Sequence, residues 1–148
     1  MTAPIALTRD IPALIDLIAE RQARPFRWRR GQDCASFAAA AIAAQTGVDV
    51  LADLPRWRTR KAALAVADGL GGLIAAMDAR LARIAPALAQ RGDIAGLPDP
   101  LLGIRLMVVE GATLVGPGAR GLERLRRDEM TLAWSVTGTP QSGALSDG

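Results

Sequence analysis

Histidine and tyrosine are absent from the 148 residues, and cysteine and lysine occur once each, as Cys34 and Lys61. Without an imidazole there is no histidine general base and no histidine metal ligand, and one thiol makes neither an internal disulfide nor a zinc cluster. No metal or other cofactor is therefore expected. Aromatics make up only 3% of the chain, which leaves Ala, Leu, Ile and Val to fill the interior. No apolar run approaches the length of a membrane span, and the opening MTAPIALTRDIPALIDLIAE lacks the basic start and cleavage site of a secretion signal. The chain is expected to be soluble, unprocessed and without a membrane partner. Repeats and heptad seams are missing too. The GLGG at 69–72 lacks the Lys and Ser/Thr of a phosphate loop and follows a helical stretch, so it reads as a turn.

What is present fits one domain: half of the residues are hydrophobic and 22% are charged. The net charge is +3 and the pI is about 10.3, which raises the question of a nucleic-acid partner. Three short arginine clusters, Arg27/Arg29/Arg30, Arg56/Arg58/Arg60 and Arg124/Arg126/Arg127, carry much of the positive charge. They are interleaved with Asp and Glu and lack the aromatics on which single strands stack. A solvated face, or a rim meeting an acidic protein neighbour, explains them better than an Arg-rich nucleic-acid module.

Periodicity places a helix from Ile11 to about Arg24, with Ile11, Leu14, Ile15 and Ile18 on one face, Asp10 as cap and Pro12 in the first turn. Pro25 ends it, Phe26 and Trp28 alternate along an extended stretch, and Gly31 turns the chain. Asp33 caps the next helix, CASFAAAAIAAQ, which Gly47 stops. Cys34 is its first helical residue. A packed loop over 48–58 is anchored by Leu51, Leu54 and Trp57, and two further helices are expected over 59–70 and 73–85. After Gly92 and Asp93 the chain turns to short apolar runs broken by Gly, Pro and Asp: IAGL, LLGIRLMVVEG, ATLVGPG, GLERLR and finally LAWSV. These predict an antiparallel sheet with helices packed on one face, an α+β domain over 1–136. The polar residues 137–148 read as a flexible tail. Trp28, Trp57 and Trp134 are expected as core plugs.

An extended Trp segment, a turn, Asp-Cys opening an Ala-rich helix, then Gly-Asp leading into a small sheet with Gly-Ile in its second strand resembles the papain-like peptidases of the NlpC type. It resembles more closely a phage tail-gene family related to them, over roughly residues 24–136. The matching pieces are Phe26, Trp28, Gly31, Asp33, Cys34, Phe37 and TGVD at 46–49, Gly92 and Asp93, Gly103 and Ile104, GLERL at 121–125 and AWSV at 133–136. In active members of such a family a thiolate at the helix start attacks a peptidoglycan amide and a strand histidine acts as base. The resemblance puts Leu101 at the position of that histidine. Cys34 is then a vestigial nucleophile. General acid–base catalysis contributes on the order of 10²- to 10⁴-fold, so a thiol without a proton relay makes a poor amide hydrolase.

Three functions follow as expectations. The first is a virion component, a tail-tip or distal-tail assembly protein on a catalytically degenerate papain-like fold, made in the host cytoplasm and docking on a hub or distal-tail ring. The second is a cysteine peptidase or amidase acting on peptidoglycan with a base other than histidine. The third is the Arg-rich nucleic-acid module. If Cys34 is inert it is a small buried residue beside Phe37, Ala38 and Ala41. The helical insertion from Thr59 to Ile84 is expected to pack near the ancestral cleft.

Overall fold

Helix α1 (Ile11–Arg21) starts where Asp10 accepts the Ala13 N–H at 3.0 Å, and it buries Leu14 and Ile18 against the next helix. It stops a turn short of the expected Arg24, because residues 22–26 give their backbone to the sheet. Leu122 N–H donates to Gln22 O, and Phe26 N–H donates to Gly118 O. A computed structural model of the chain describes residues 9–28 and 32–137; Gly31, Arg29, Arg30 and the tail beyond Thr137 lie outside the described residues.

Helix α2 (Cys34–Thr46) is the central strut. Its sequence is apolar on nearly all sides, which suits a helix enclosed by other elements. Gly47, with φ of 80°, supplies the left-handed stop. Helices α3 (Arg60–Gly69) and α4 (Leu73–Arg80) follow, joined through the glycine turn and bent by 57° from one another. The predicted helix over 73–85 is corrected here: it ends at Arg80, and Ala82–Ile84 form an edge strand, β1. Pairing overrides helix propensity at this point, since Arg83 lies opposite Trp134 in the ladder and its guanidinium sits 5.4 Å from the indole ring. Among the described residues no single helix is long and apolar enough to cross a membrane.

The expected strands are all present: β2 (Ile94–Asp99), β3 (Gly103–Val109), β4 (Thr113–Gly118), β5 (Gly121–Arg126) and β6 (Leu132–Ser135). They form one antiparallel sheet in the order β1-β6-β2-β3-β4-β5, with β6 inserted between β1 and β2. The domain is α+β. Alternation along the strands splits the interior in two. Ile94, Ile104, Leu106, Val108, Val115 and Trp134 face the helices and pack with Phe37, Ala38, Ala41 and Ile42 of α2. Ala95, Leu97, Met107, Val109, Leu114 and Ala133 form a second cluster, with Ala89 and Met130 from two short 3₁₀ turns. The sheet is thus covered on both sides, which the expectation of helices on one face did not include, and β3 is apolar on both faces for that reason. Each fully buried large side chain of this kind contributes about 1.5–3 kcal/mol.

Candidate functional site

The start of α2 is organised around Asp33. Its carboxylate accepts the Ser36 N–H at 2.8 Å as a helix cap, and its second oxygen accepts the indole N–H of Trp57. Both side chains are buried. The indole therefore pins the 48–58 loop to the helix start, a bridge that sequence reasoning missed; the position of Trp57 between Arg56 and Arg58, which are both exposed, was its only visible sign. Burial raises the Asp33 pKa above the ordinary carboxylate range, against the two hydrogen bonds that pull it down.

Cys34 follows directly, only 4% exposed and packed with Phe37, Ala38, Ala41 and Leu106 in the helix-side core. Burial pushes its thiol up to about 11. The backbone at Leu106 and the charge of Arg105 act weakly in the opposite direction, while the Asp33 and Asp99 charges add to the rise. A helix start ordinarily favours a thiolate. Desolvation wins here, because loss of water around a charged sulfur outweighs a partial helix charge. The Asp33 carboxylate is not placed as a free base. Asp33 already accepts two donors, and Asp99 accepts the backbone N–H groups of Leu101 and Leu102 at 3.0 and 2.8 Å in the turn between β2 and β3.

Leu101 sits in that turn, 43% exposed, whereas Leu102 lines the cleft beside Cys34. Gly103 opens β3 with φ of 80°. Phe37 is buried one turn beyond the cysteine. Trp28 requires a correction: it is half-buried at the cleft, edge-on to Phe26 at 5.0 Å between ring centroids, instead of a core plug. Trp57 and Trp134 are buried as expected. Trp134 has no exposed surface and donates its indole N–H to Asp78 at 2.9 Å, and Arg83 clamps the same carboxylate with two bonds, holding the Asp78 pKa below the usual range.

Gly92 and Asp93 lie away from Cys34 and form a clasp. Asp93 is buried and accepts the N–H groups of Gln90 (2.7 Å) and Val136 (3.2 Å) and an ion pair from Arg9 at 2.9 Å. Gly92 has φ of 96°, and the Gln45 amide fills the space a side chain would need, donating to Gly92 O. The Gly-Asp piece therefore ties the N-terminal segment, α2 and the end of β6 together.

Between α2 on one side and the 48–58 loop, α3 and α4 on the other runs a narrow apolar cleft of about 80 Å³. Cys34 and Asp33 lie at its α2 wall, and residues of α3 and α4 line the same cleft. Among the described residues, Arg80 and Asp33 are the only ionisable side chains apart from the thiol that line it. No cluster of metal-ligating side chains occurs among the described residues.

Residues 9–136 match the family model described as a domain of unknown function, DUF6950. The chain belongs to this family. The matched span of the DUF6950 domain begins at Arg9, whose ion pair closes the Asp93 clasp, and ends at Val136, whose N–H completes it. No curated protein matches the sequence.

Proposed function

We propose that this DUF6950 protein is a non-hydrolytic assembly component of a phage or phage-like tail, built on a papain-like scaffold of the NlpC type that has lost its chemistry. One observation carries the loss: Cys34 is buried with its thiol pushed up to about 11, in a chain with no imidazole. At neutral pH a thiol with that pKa is about 0.01% thiolate, a poor nucleophile even before a proton donor for the leaving amine is sought. The cleft beside it is lined by Ala, Leu, Val and Trp side chains. That lining offers little to a polar stem peptide, which needs partners for its own amides.

The scaffold reading is supported by what the structure keeps. A helix opened by Asp-Cys packs on an antiparallel sheet, and Gly103-Ile104 open the strand that runs against it. Its stability comes from Phe37, Leu106, Val108 and Trp134, so the fold does not depend on a catalytic pair. Of the last arginine cluster, two members are spent on internal contacts, Arg124 pairing with Glu110 and Arg127 donating to the carbonyls of Pro86 and Ala89, while Arg126 is exposed beside Asp128. A nucleic-acid face is correspondingly weakened. The test is to locate the chain: a virion reconstruction or affinity purification from infected cells places it at fixed stoichiometry among hub or distal-tail proteins if the proposal holds. Its absence from tails and from tail intermediates, or Cys34-dependent release of peptidoglycan fragments, overturns it.

A further inference from the structure

Most arginines of the described chain are engaged within it. Arg9, Arg83, Arg105 and Arg124 each meet a carboxylate at 3.0 Å or less, and Arg127 donates to backbone carbonyls. The segment from 56 to 61 is different. Arg56, Arg58, Arg60 and Lys61 are exposed, and none of these four side chains has an ion pair or hydrogen bond among the described residues. No Asp or Glu occurs between Leu54 and Ala67. The whole chain carries a net charge of only +3, so this strip holds the excess and the remainder is slightly more acidic than basic.

Local structure fixes the strip in place. Burial alternates along it: Arg56 and Arg58 are exposed, while Trp57 between them is buried with its indole N–H bonded to the Asp33 carboxylate at the start of α2. Thr59 is extended, with φ of −134° and ψ of 161°, and caps α3 by accepting the Ala62 N–H at 3.1 Å. Three arginines thus stand at every second position of a pinned segment, about 7 Å apart along an extended backbone. The arrangement is unfavourable for the chain alone. Arg60 and Lys61 occupy the first turn of α3, which holds no acidic residue, and the helix dipole disfavours cations there. A local conflict with no compensating contact inside the fold marks a surface shaped for something outside it.

The same features restrict the partner, whose charge is negative. Trp57 is buried and no other aromatic residue lies between 54 and 67, so bases find no platform to stack on. A long phosphate backbone needs cations along its length, and the rest of the chain does not supply the excess. The large exposed apolar side chains are Ile15, Val48, Leu88 and Leu101. None lies on the strip, so no anchor for a lipid surface accompanies the charge. An extended polypeptide does fit, because its side chains on one face repeat at the same spacing of about 7 Å, and carboxylates form charge-assisted bonds with guanidinium groups.

We propose that the 56–61 strip docks an extended acidic segment of a partner protein, with Asp or Glu at alternate positions facing Arg56, Arg58 and Arg60. The surface belongs to the chain itself and does not depend on the partner being a tail protein.

The experiment uses the full chain and a fluorescein-labelled peptide of five Glu-Thr repeats, followed by fluorescence polarisation at about 50 mM NaCl. Saturable binding is expected, weakened at least tenfold at about 300 mM NaCl. A peptide of the same composition with its Glu residues in one block binds several-fold more weakly. Arg56→Gln/Arg58→Gln weakens binding about tenfold. Arg120→Gln, at an exposed arginine of the β4–β5 turn with no ion pair among the described residues, leaves it unchanged. Arg60→Glu/Lys61→Glu also weakens the peptide, yet raises Tm by about 2–4 °C by removing the conflict with the helix dipole. Circular dichroism shows that each variant is folded. The proposal is overturned if the Glu-Thr peptide does not saturate, if the block peptide binds as tightly, if either double variant binds as well as the parent, or if Arg120→Gln weakens binding as much. It is also overturned if a thymidine hexanucleotide, matched at five negative charges, binds more tightly than the peptide, or if phosphatidylserine-containing vesicles take up the chain and the peptide does not displace it.

Discussion

Replacing Asp33 separates the structural account of the α2 start from a catalytic one. Asp33→Ala removes the helix cap, worth about 1 kcal/mol, and leaves the Trp57 indole N–H buried without an acceptor, worth about 1–3 kcal/mol. The expected loss of folding stability is about 2–4 kcal/mol. Asp33→Asn keeps one oxygen, enough for the cap or for the indole but not for both, and has no charge to bury. Because burial raises the Asp33 pKa in the folded state, the native chain holds this proton at pH values where the unfolded chain has released it. The native state therefore loses stability as pH rises from the unfolded carboxylate value, near 3.9, through the raised folded value. The Asn variant lacks that loss, so its stability relative to the parent improves from acid to neutral pH. Urea denaturation of parent, Ala and Asn chains at a series of pH values from 4 to 8 reads this directly, through the midpoint at constant m-value. An Asn variant that becomes less stable relative to the parent as pH rises would refute the reasoning, since a carboxylate favoured in its charged form would then be present.

Four further outcomes follow from the geometry. Gly92→Ala drives a Cβ into the buried Gln45 amide at a φ of 96°, and thermal unfolding should show a loss of about 2 kcal/mol or more. Asp93→Ala strips acceptors from Gln90 and Val136 and the partner from Arg9; a loss of about 3–5 kcal/mol is expected, and Arg9→Ala in the same background should then cost much less than it does alone. Cys34 holds its proton to about pH 11 in the folded chain, so stability falls from about pH 9 to 11 as the unfolded thiol ionises first, and Cys34→Ala flattens that part of the profile. Arg83→Leu removes the clamp on Asp78, and acid titration by NMR should show the Asp78 carboxylate protonating at higher pH than in the parent.

The sheet and α2 were legible because their local signals agree with their packing. Asp33 and Gly47 bracket an Ala-rich run, and turn residues separate the strands after Asp93. Strand β1 was hidden, since LARIA continues a helical pattern and only the distant Trp134 makes it a strand. The second apolar cluster was hidden for the same reason: Ala89 and Met130 come to the far face of the sheet through turns with no periodic signal. The end of α1 depended on residues a hundred positions away, where Leu122 takes the Gln22 carbonyl. At the site, the position of Cys34 at the helix start was readable, as was the lack of a histidine. Its burial against Leu106, and the Asp33–Trp57 bridge that closes the helix start, are products of long-range packing and left no mark in the order of residues.

The central claim is that the Cys34 sulfur is a wall of the core and does no chemistry, and the rate of its alkylation by iodoacetamide tests it most directly. At pH 8 a thiol of pKa about 11 is about one-thousandth thiolate, against about a quarter for a free cysteine, so titration alone slows the reaction about 200-fold. Burial slows it further. The account predicts that the folded chain reacts at least 100-fold more slowly than the same chain in urea, with the rate still climbing at pH 10. A folded chain that reacts as fast as the unfolded one, with a rate that levels off below pH 8, would contradict it.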